Sequence, residues 1–457
     1  MPSFDAIIIG TGQAGPSLAH RLADANQRVA IIERHRFGGT CVNTGCTPTK
    51  TLVASAYAAH LARRAGDFGV SISGDIKVDM QAVKARKEYV LGFSTRAVER
   101  GLRNHPNITV YQDHARFASA TSVRVGGETL TAPKVFINVG GRAFVPDIPG
   151  LDQVPYLTNS SLLEVDTAPP HLIIVGGSYV GLEFAQVFRR FGAEISVIEA
   201  APRLIAREDE DTSAAVADIL AREGIELLLG AKGLRFEKRG PDVVARLESG
   251  GAAREVVGSH VLIAVGRRPN TDDLGLEAAG VATDAKGFIK VDDMLQTNVP
   301  GIWALGDCNG KGAFTHTAYN DGEIVAANLL DGEARRVIDR ITAYNLYTDP
   351  PLGRIGATEA EVRQSGRPAL KATLAMEDVS RAFERGETLG FMKVLVDAES
   401  QQILGASILG VGGDEVIHTL LTLMYAKASY RVMQRAVHIH PTVAEFLPTL
   451  LGDLKPL

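Results

Sequence analysis

The strongest constraint on how this chain folds is an internal repeat. Residues 7–33 read IIIGTGQAGPSLAHRLADANQRVAIIE, and residues 173–199 read IIVGGSYVGLEFAQVFRRFGAEISVIE. The two segments align without a gap. Each is an apolar strand, a glycine turn, a helical stretch and a second apolar strand that closes on an acid. Gly10 and Glu33 stand 23 positions apart, as do Gly176 and Glu199. A βαβ unit that occurs twice in one chain predicts the α/β class, with two parallel sheets covered by helices.

The chemistry of such a unit is specific. Gly10 and Gly176 make the tight turn, Gly12 and Ser178 stand where the backbone must approach a pyrophosphate, and Gly15 and Gly181 let the helix pack on the strand. The helix N-terminus adds free N–H groups and a dipole that stabilise phosphate charge. Glu33 and Glu199 are placed to accept from a ribose hydroxyl. Two dinucleotide sites are therefore expected. Ser178 departs from the glycine pattern, but its side chain is small enough for a close approach.

A chain of 457 residues is too long for one ordinary core and predicts about three domains. Charged residues make up 22% and hydrophobic ones 45%, the balance of a globular protein rather than a disordered one. The net charge of −5 gives no basic field for phosphate backbones, so nucleic acid is not an expected partner. Three cysteines cannot build a disulfide framework, which points to a reducing compartment. The first five residues carry no basic stretch and lead directly into a strand, unlike a secretory signal. No apolar run approaches ~18 residues, so no membrane span is expected and the cytoplasm is the default address. Beyond the repeat, helices are expected over 48–64, 79–103, 211–223, 316–330, 412–428 and 442–451. Strands are expected over 108–117, 121–125, 134–139, 261–265 (running into Gly266) and 301–307.

Two of the cysteines, Cys41 and Cys46, lie in GGTCVNTGCTPTK. A zinc site wants a C-x2–4-C pair with further Cys or His nearby, and none follows. Two structural thiols are another reading. Pro48 suits the first turn of a helix, which sets Cys46 just before a helix N-terminus, where the dipole favours a thiolate. That arrangement is one of a redox pair.

The stretch Gly38–Lys50 resembles the redox motif of the class I pyridine nucleotide–disulfide oxidoreductases, the family of dihydrolipoyl dehydrogenase, glutathione reductase and mercuric reductase. The resemblance spans essentially the whole chain. The N-terminal unit, the second unit, GIWALGD at 301–307 and HIHPTVAE at 438–445 follow in the family's order. It implies FAD at the first unit, NAD(P)H at the second, and four segments. These are an FAD domain with the redox disulfide over 1–150, an NAD(P) domain over 151–270, a central segment completing the FAD site over 271–340, and a dimerisation domain over 341–457.

The resemblance also implies roles. Cys46 resembles the thiol set against the flavin and Cys41 the one that attacks substrate. Lys50 and Glu183 resemble an ion pair near the flavin, and Tyr179 the gate over it. Glu33 and Asp307 resemble acids holding the FAD ribose and the ribityl-phosphate region. His440 with Glu445 resembles the acid–base pair that reaches the other subunit's site, so a homodimer is implied. An imidazole suits proton transfer to and from Cys41. His438 and Cys308 are expected to be structural, and His316 belongs to no ligand set, so no metal site is expected. The implied reaction passes electrons from NAD(P)H through FAD to the Cys41–Cys46 disulfide and then to a small disulfide. Glu199 favours NADH over NADPH, although Arg203 and Arg207 lie close in sequence.

A metal-ion reductase is the alternative within the family, because the tone of GGTCVN leans towards mercuric reductase. Against it, the terminal GDLKPL carries no cysteine pair, and no metal-binding module precedes the fold. A flavin-bound scaffold without turnover is the alternative outside the enzymes, and the cysteine pair and His440/Glu445 argue against it.

Overall fold

A computed structural model describes all residues, Met1–Leu457. The first repeat unit forms strand Ala6–Ile9, helix Ala14–Asp24 and strand Val29–Ile32. These strands lie at the centre of a five-stranded parallel sheet. Its order is Ile302–Ala304, Val135–Ile137, Ala6–Ile9, Val29–Ile32 and Ile108–Tyr111. Segment 271–340 thus contributes a strand to the first sheet, beside Val135–Ile137. Every residue of Ala6–Ile9 and Val29–Ile32 is buried, as expected for a parallel sheet covered on both faces.

The second unit repeats the pattern with His171–Val175, Tyr179–Phe191 and Glu194–Ile198. It builds a four-stranded parallel sheet between Glu226–Leu228 and His260–Ile263. A three-stranded antiparallel sheet accompanies each unit. From Ala343 the chain forms a six-stranded antiparallel sheet packed against helix Gly413–Tyr425. No helix is long and apolar enough to cross a membrane.

Both first glycines have the predicted conformation. Gly10 sits at φ +103° and Gly176 at +116°, where an L side chain is strained. A Cβ on either would also run into a neighbouring backbone carbonyl, of Asn138 and Ala264 respectively.

Two helix pairings position the chemistry. Helix Cys46–Arg63 packs on helix Tyr179–Phe191, whose Phe184 and Phe188 are fully buried. Each such ring contributes about 1.5–3 kcal/mol by burial. Helix Thr315–Ala326 packs on Ala14–Asp24, with Gly322 close against Ala14. The expected helix boundaries shift in places. Helix Cys46–Arg63 starts two residues before the expected position, so Cys46 is its first residue rather than preceding it. The stretch 442–451 is a short 3-10 turn, Ala444–Phe446, followed by helix Leu447–Gly452. Helix Gly39–Thr44, unexpected from sequence, carries Cys41.

Candidate active site

A cavity of about 1430 Å³ runs from the first glycine turn to the cysteine pair. Gly10, Gly12 and Glu33 line one end, and Cys41, Cys46 and Lys50 line the other, with Asp307 also in its wall. One space thus joins a phosphate turn, a ribose-binding acid and a dithiol, which fits the extended dinucleotide FAD.

At the nucleotide end, the buried Glu33 carboxylate accepts from Thr11 N at 3.1 Å, Thr11 Oγ1 at 2.5 Å and His35 N at 2.8 Å. Asn138, unnoticed in the sequence, stitches this end together. Its Oδ1 accepts from Gly15 N at 3.0 Å and its Nδ2 donates to Leu305 O at 3.1 Å. Burial pushes the Asp307 carboxyl up from its usual range, while Arg267 at 3.5 Å opposes that shift. The second turn is built alike. Glu199 accepts from Gly177 N at 2.6 Å and from Ala201 N at 2.7 Å. Ser178 stands in extended backbone at the N-cap position of helix Tyr179–Phe191 without a side-chain capping bond, Gly181 lies against the Gly176 carbonyl, and Gly266 takes φ +129° after strand His260–Ile263.

At the dithiol end, Cys41 sits within the short helix Gly39–Thr44, which breaks at Gly45, and Cys46 opens the next helix. Lys50, four residues on, shares the helix face of Cys46. Its ammonium donates to Glu183 at 2.7 and 2.9 Å, and Glu183 also accepts from Tyr347 N at 3.0 Å. The Cys46 sulfur lies 3.0 Å from Thr315 Oγ1. The Cys46 thiol is held down, to about 6, chiefly by a hydrogen bond from Cys41, helped by Thr315 and the Lys50 charge against burial. The Cys41 thiol is pushed up by its interaction with Cys46 and by partial burial. The two thiols therefore titrate as a coupled pair, in which Thr315 and Lys50 favour a thiolate on Cys46.

The other predicted residues divide. Tyr179 lines the cavity, its hydroxyl 3.1 Å from Glu208. His440 Nδ1 donates to Glu445 at 3.0 and 3.1 Å, but the imidazole is 76% exposed and does not line the cavity of its own chain. Cys308 is fully buried beneath the first sheet, its thiol pushed up to about 12 by desolvation. His316 stacks on Phe314 and contacts the Ala343 carbonyl, and His438 contacts Ala436 O and the Met433 sulfur. Thr11, which the motif reading does not single out, lies inside the glycine turn. Asn138, Thr315, Arg267 and Glu208 carry no motif, and only the fold brings them in.

Two nucleotide turns, a cavity joining one of them to a dithiol, and a lysine one helical turn beyond the second cysteine define a flavin-dependent dithiol oxidoreductase. A family model for pyridine nucleotide-disulphide oxidoreductases matches residues 4–322, and the model of that family's dimerisation domain matches residues 342–451. The chain belongs to this family, as an FAD- and pyridine-nucleotide-dependent flavoprotein disulfide reductase with a C-terminal dimerisation domain. It is 36% identical to the probable pyridine nucleotide-disulfide oxidoreductase RclA of Escherichia coli, over 100% of both chains. It is 34% identical to a dihydrolipoyl dehydrogenase of Chlamydia muridarum, over 97% of this chain and 95% of that protein. A mercuric reductase of Streptomyces lividans is 33% identical, over 97% and 94%. Among solved structures, the HOCl-induced flavoprotein disulfide reductase RclA from Escherichia coli superposes with a TM-score of 0.90 at 36% identity, covering 99% of this chain and 100% of that one.

Proposed function

We propose that this enzyme uses NADH to reduce a small disulfide, as a C2 homodimer in which His440 of the partner subunit serves Cys41. The observation that carries this reading is the placement of the cysteine pair, which lines the same cavity as the first glycine turn, with the Cys46 sulfur 3.0 Å from Thr315 Oγ1. Besides Cys41, Thr315 and the Lys50 charge lower the Cys46 thiol, whereas the Cys41 thiol, which must attack substrate, is pushed up. A base is needed at Cys41, and the His440 imidazole, oriented by Glu445, is exposed and lies outside the lining of its own chain's cavity. A partner related by a two-fold axis can bring it in.

The residues then act in order. Glu445 fixes the His440 ring through Nδ1, leaving Nε2 free to take the Cys41 proton. The Cys41 thiolate attacks one sulfur of the substrate disulfide, giving a mixed disulfide and a first thiolate, which His440 protonates. The Cys46 thiolate then attacks the Cys41 sulfur, releases the second thiolate and closes the Cys41–Cys46 disulfide. Bound FAD supplies the two-electron passage from the nicotinamide back to that disulfide. Glu33, Asp307 and the Gly10, Gly12 and Gly15 turn would hold it, with Lys50 and Glu183 beside its reacting end. Tyr179 would gate nicotinamide entry.

NADH is favoured because Glu199 closes the second unit as a hydrogen-bond acceptor and repels a 2′-phosphate. Arg203 turns away into its own loop, donating to Ala206 O at 3.1 Å and Glu208 O at 3.3 Å. Reduction of a metal ion is the second reading, supported by the mercuric reductase relatives and by a solved Cu(II) complex of RclA at 35% identity and a TM-score of 0.90 over 99% of both chains. His440→Ala separates the two. Disulfide turnover should fall roughly 10²–10⁴-fold, with flavin reduction by NADH nearly intact. If the variant reduced every small disulfide at the wild-type rate, or if the wild type turned over only Hg(II) or Cu(II), the metal reading would replace this one.

A further inference from the structure

The gating ring of Tyr179 is tied to the C-terminal domain through a buried carboxylate. Its hydroxyl donates to Glu208 Oε1 at 3.1 Å, and Tyr344 donates to the same oxygen at 2.6 Å. The other oxygen, Oε2, lies 3.4 Å from Arg354 Nε, and both side chains of this ion pair are at most 2% exposed. Arg354 is itself fixed, donating from Nη1 to Ile355 O and Ala406 O at 3.1 Å. The next residue, Asp209, accepts from Lys393 Nζ at 2.8 Å and from Glu359 N at 3.0 Å. Tyr344, Arg354 and Lys393 all belong to the C-terminal antiparallel sheet. The loop that bears Glu208 is thus bolted to the dimerisation domain, while Tyr179 begins the helix of the second nucleotide unit. The Tyr179 ring meets Tyr344 and Phe314 edge-on, at 5.4 and 6.1 Å between centroids.

We propose that Glu208, clamped by Arg354 and Tyr344, is a positioning residue that latches Tyr179 shut, and that a nicotinamide nucleotide must break the Tyr179–Glu208 hydrogen bond to enter. This rests on Tyr179 being the gate. Glu208 touches no reacting atom and acts only through the ring it holds. The latch opposes entry because a ligand that needs the open state binds more weakly by the fraction of protein that is open. A hydrogen bond to a buried carboxylate is worth roughly tenfold or more in that equilibrium. Because Tyr344 shares the same oxygen, we take the lower end. Burial and the Glu208 charge both push the Tyr179 hydroxyl up, so it stays a donor throughout the working pH range.

The test is calorimetric binding of NAD⁺ to the oxidised, FAD-loaded dimer, which involves no turnover. Tyr179→Phe keeps the ring and removes the latch, and should tighten NAD⁺ binding about tenfold. Glu208→Gln should tighten it in the wild-type background and add nothing in the Tyr179→Phe background. A residue that merely supports the fold would instead give additive losses and a lower melting temperature. Should Glu208→Gln fail to fold, the Tyr179→Phe result alone decides. If Tyr179→Phe leaves NAD⁺ affinity unchanged while Tyr179→Ala tightens it, the gate stands and the latch is wrong. If neither variant changes it, the gate reading falls as well.

Discussion

Replacing Thr315 by valine removes one hydroxyl that faces Cys46 and changes little else in volume. The Cys46 sulfur lies 3.0 Å from Thr315 Oγ1, and when the sulfur is a thiolate that hydroxyl donates to it. A hydrogen bond to a charged acceptor is worth about 1.5–3 kcal/mol, and each pKa unit corresponds to about 1.36 kcal/mol, so the full loss is about 1–2 units. The sulfur faces the open cavity, where solvent replaces part of the lost bond, so the expected shift is about 1 unit. The sign follows from the direction of the native shift. Cys46 is held down to about 6, so its thiolate persists above that pH and is lost as pH falls through it. Without Thr315 the midpoint rises to about 7, and the variant loses its thiolate at a higher pH than the wild type. The assay is a pH titration of thiolate absorbance in the dithiol-reduced protein, with Thr315→Ser as the control that restores the hydroxyl. A midpoint that stays put or falls in Thr315→Val would refute the assignment of Thr315 as a thiolate partner, leaving Cys41 and Lys50 to account for the whole shift.

Three further outcomes are expected. Mixing inactive Cys46→Ser protein with inactive His440→Ala protein should restore roughly a quarter of wild-type activity after random subunit exchange, because each hybrid dimer carries one intact composite site. Full exchange with no recovery would mean that His440 acts within its own chain or not at all. Glu199→Ala should lower kcat/KM for NADH about tenfold while leaving NADPH unchanged or improved, since only the free ribose hydroxyl loses an acceptor. A wild-type enzyme with a higher kcat/KM for NADPH would overturn the coenzyme assignment outright. Lys50→Met leaves the buried Glu183 carboxylate without its ammonium, keeping only the Tyr347 N–H, and should cost about 1–3 kcal/mol, discounted because Lys50 is one-third exposed. Urea unfolding of the FAD-loaded protein measures it, and Lys50→Met combined with Glu183→Leu should recover part of the loss.

What could be read from the chain by itself is local. Each nucleotide turn is encoded within 27 consecutive residues, because strand, left-handed glycine, helix start and closing acid follow from short-range backbone geometry and the helix dipole. The same holds for Cys41, Cys46 and Lys50, which lie within ten consecutive residues, and for His440 and Glu445, which meet within one turn of chain. Tertiary structure decided what those groups face. Thr315 comes to Cys46 from 269 residues away because helix Thr315–Ala326 packs on the first nucleotide helix. Glu183 comes to Lys50 across 133 residues because two helices pack side by side. Glu208, Tyr344 and Arg354 converge on Tyr179 only when the C-terminal sheet docks against the second unit. Hydrogen bonds and ion pairs reach only a few ångströms, so no spacing along the chain announces them. They exist only after the sheets and helices have closed, and the part that Thr315 adds to the Cys46 shift depends on that closure.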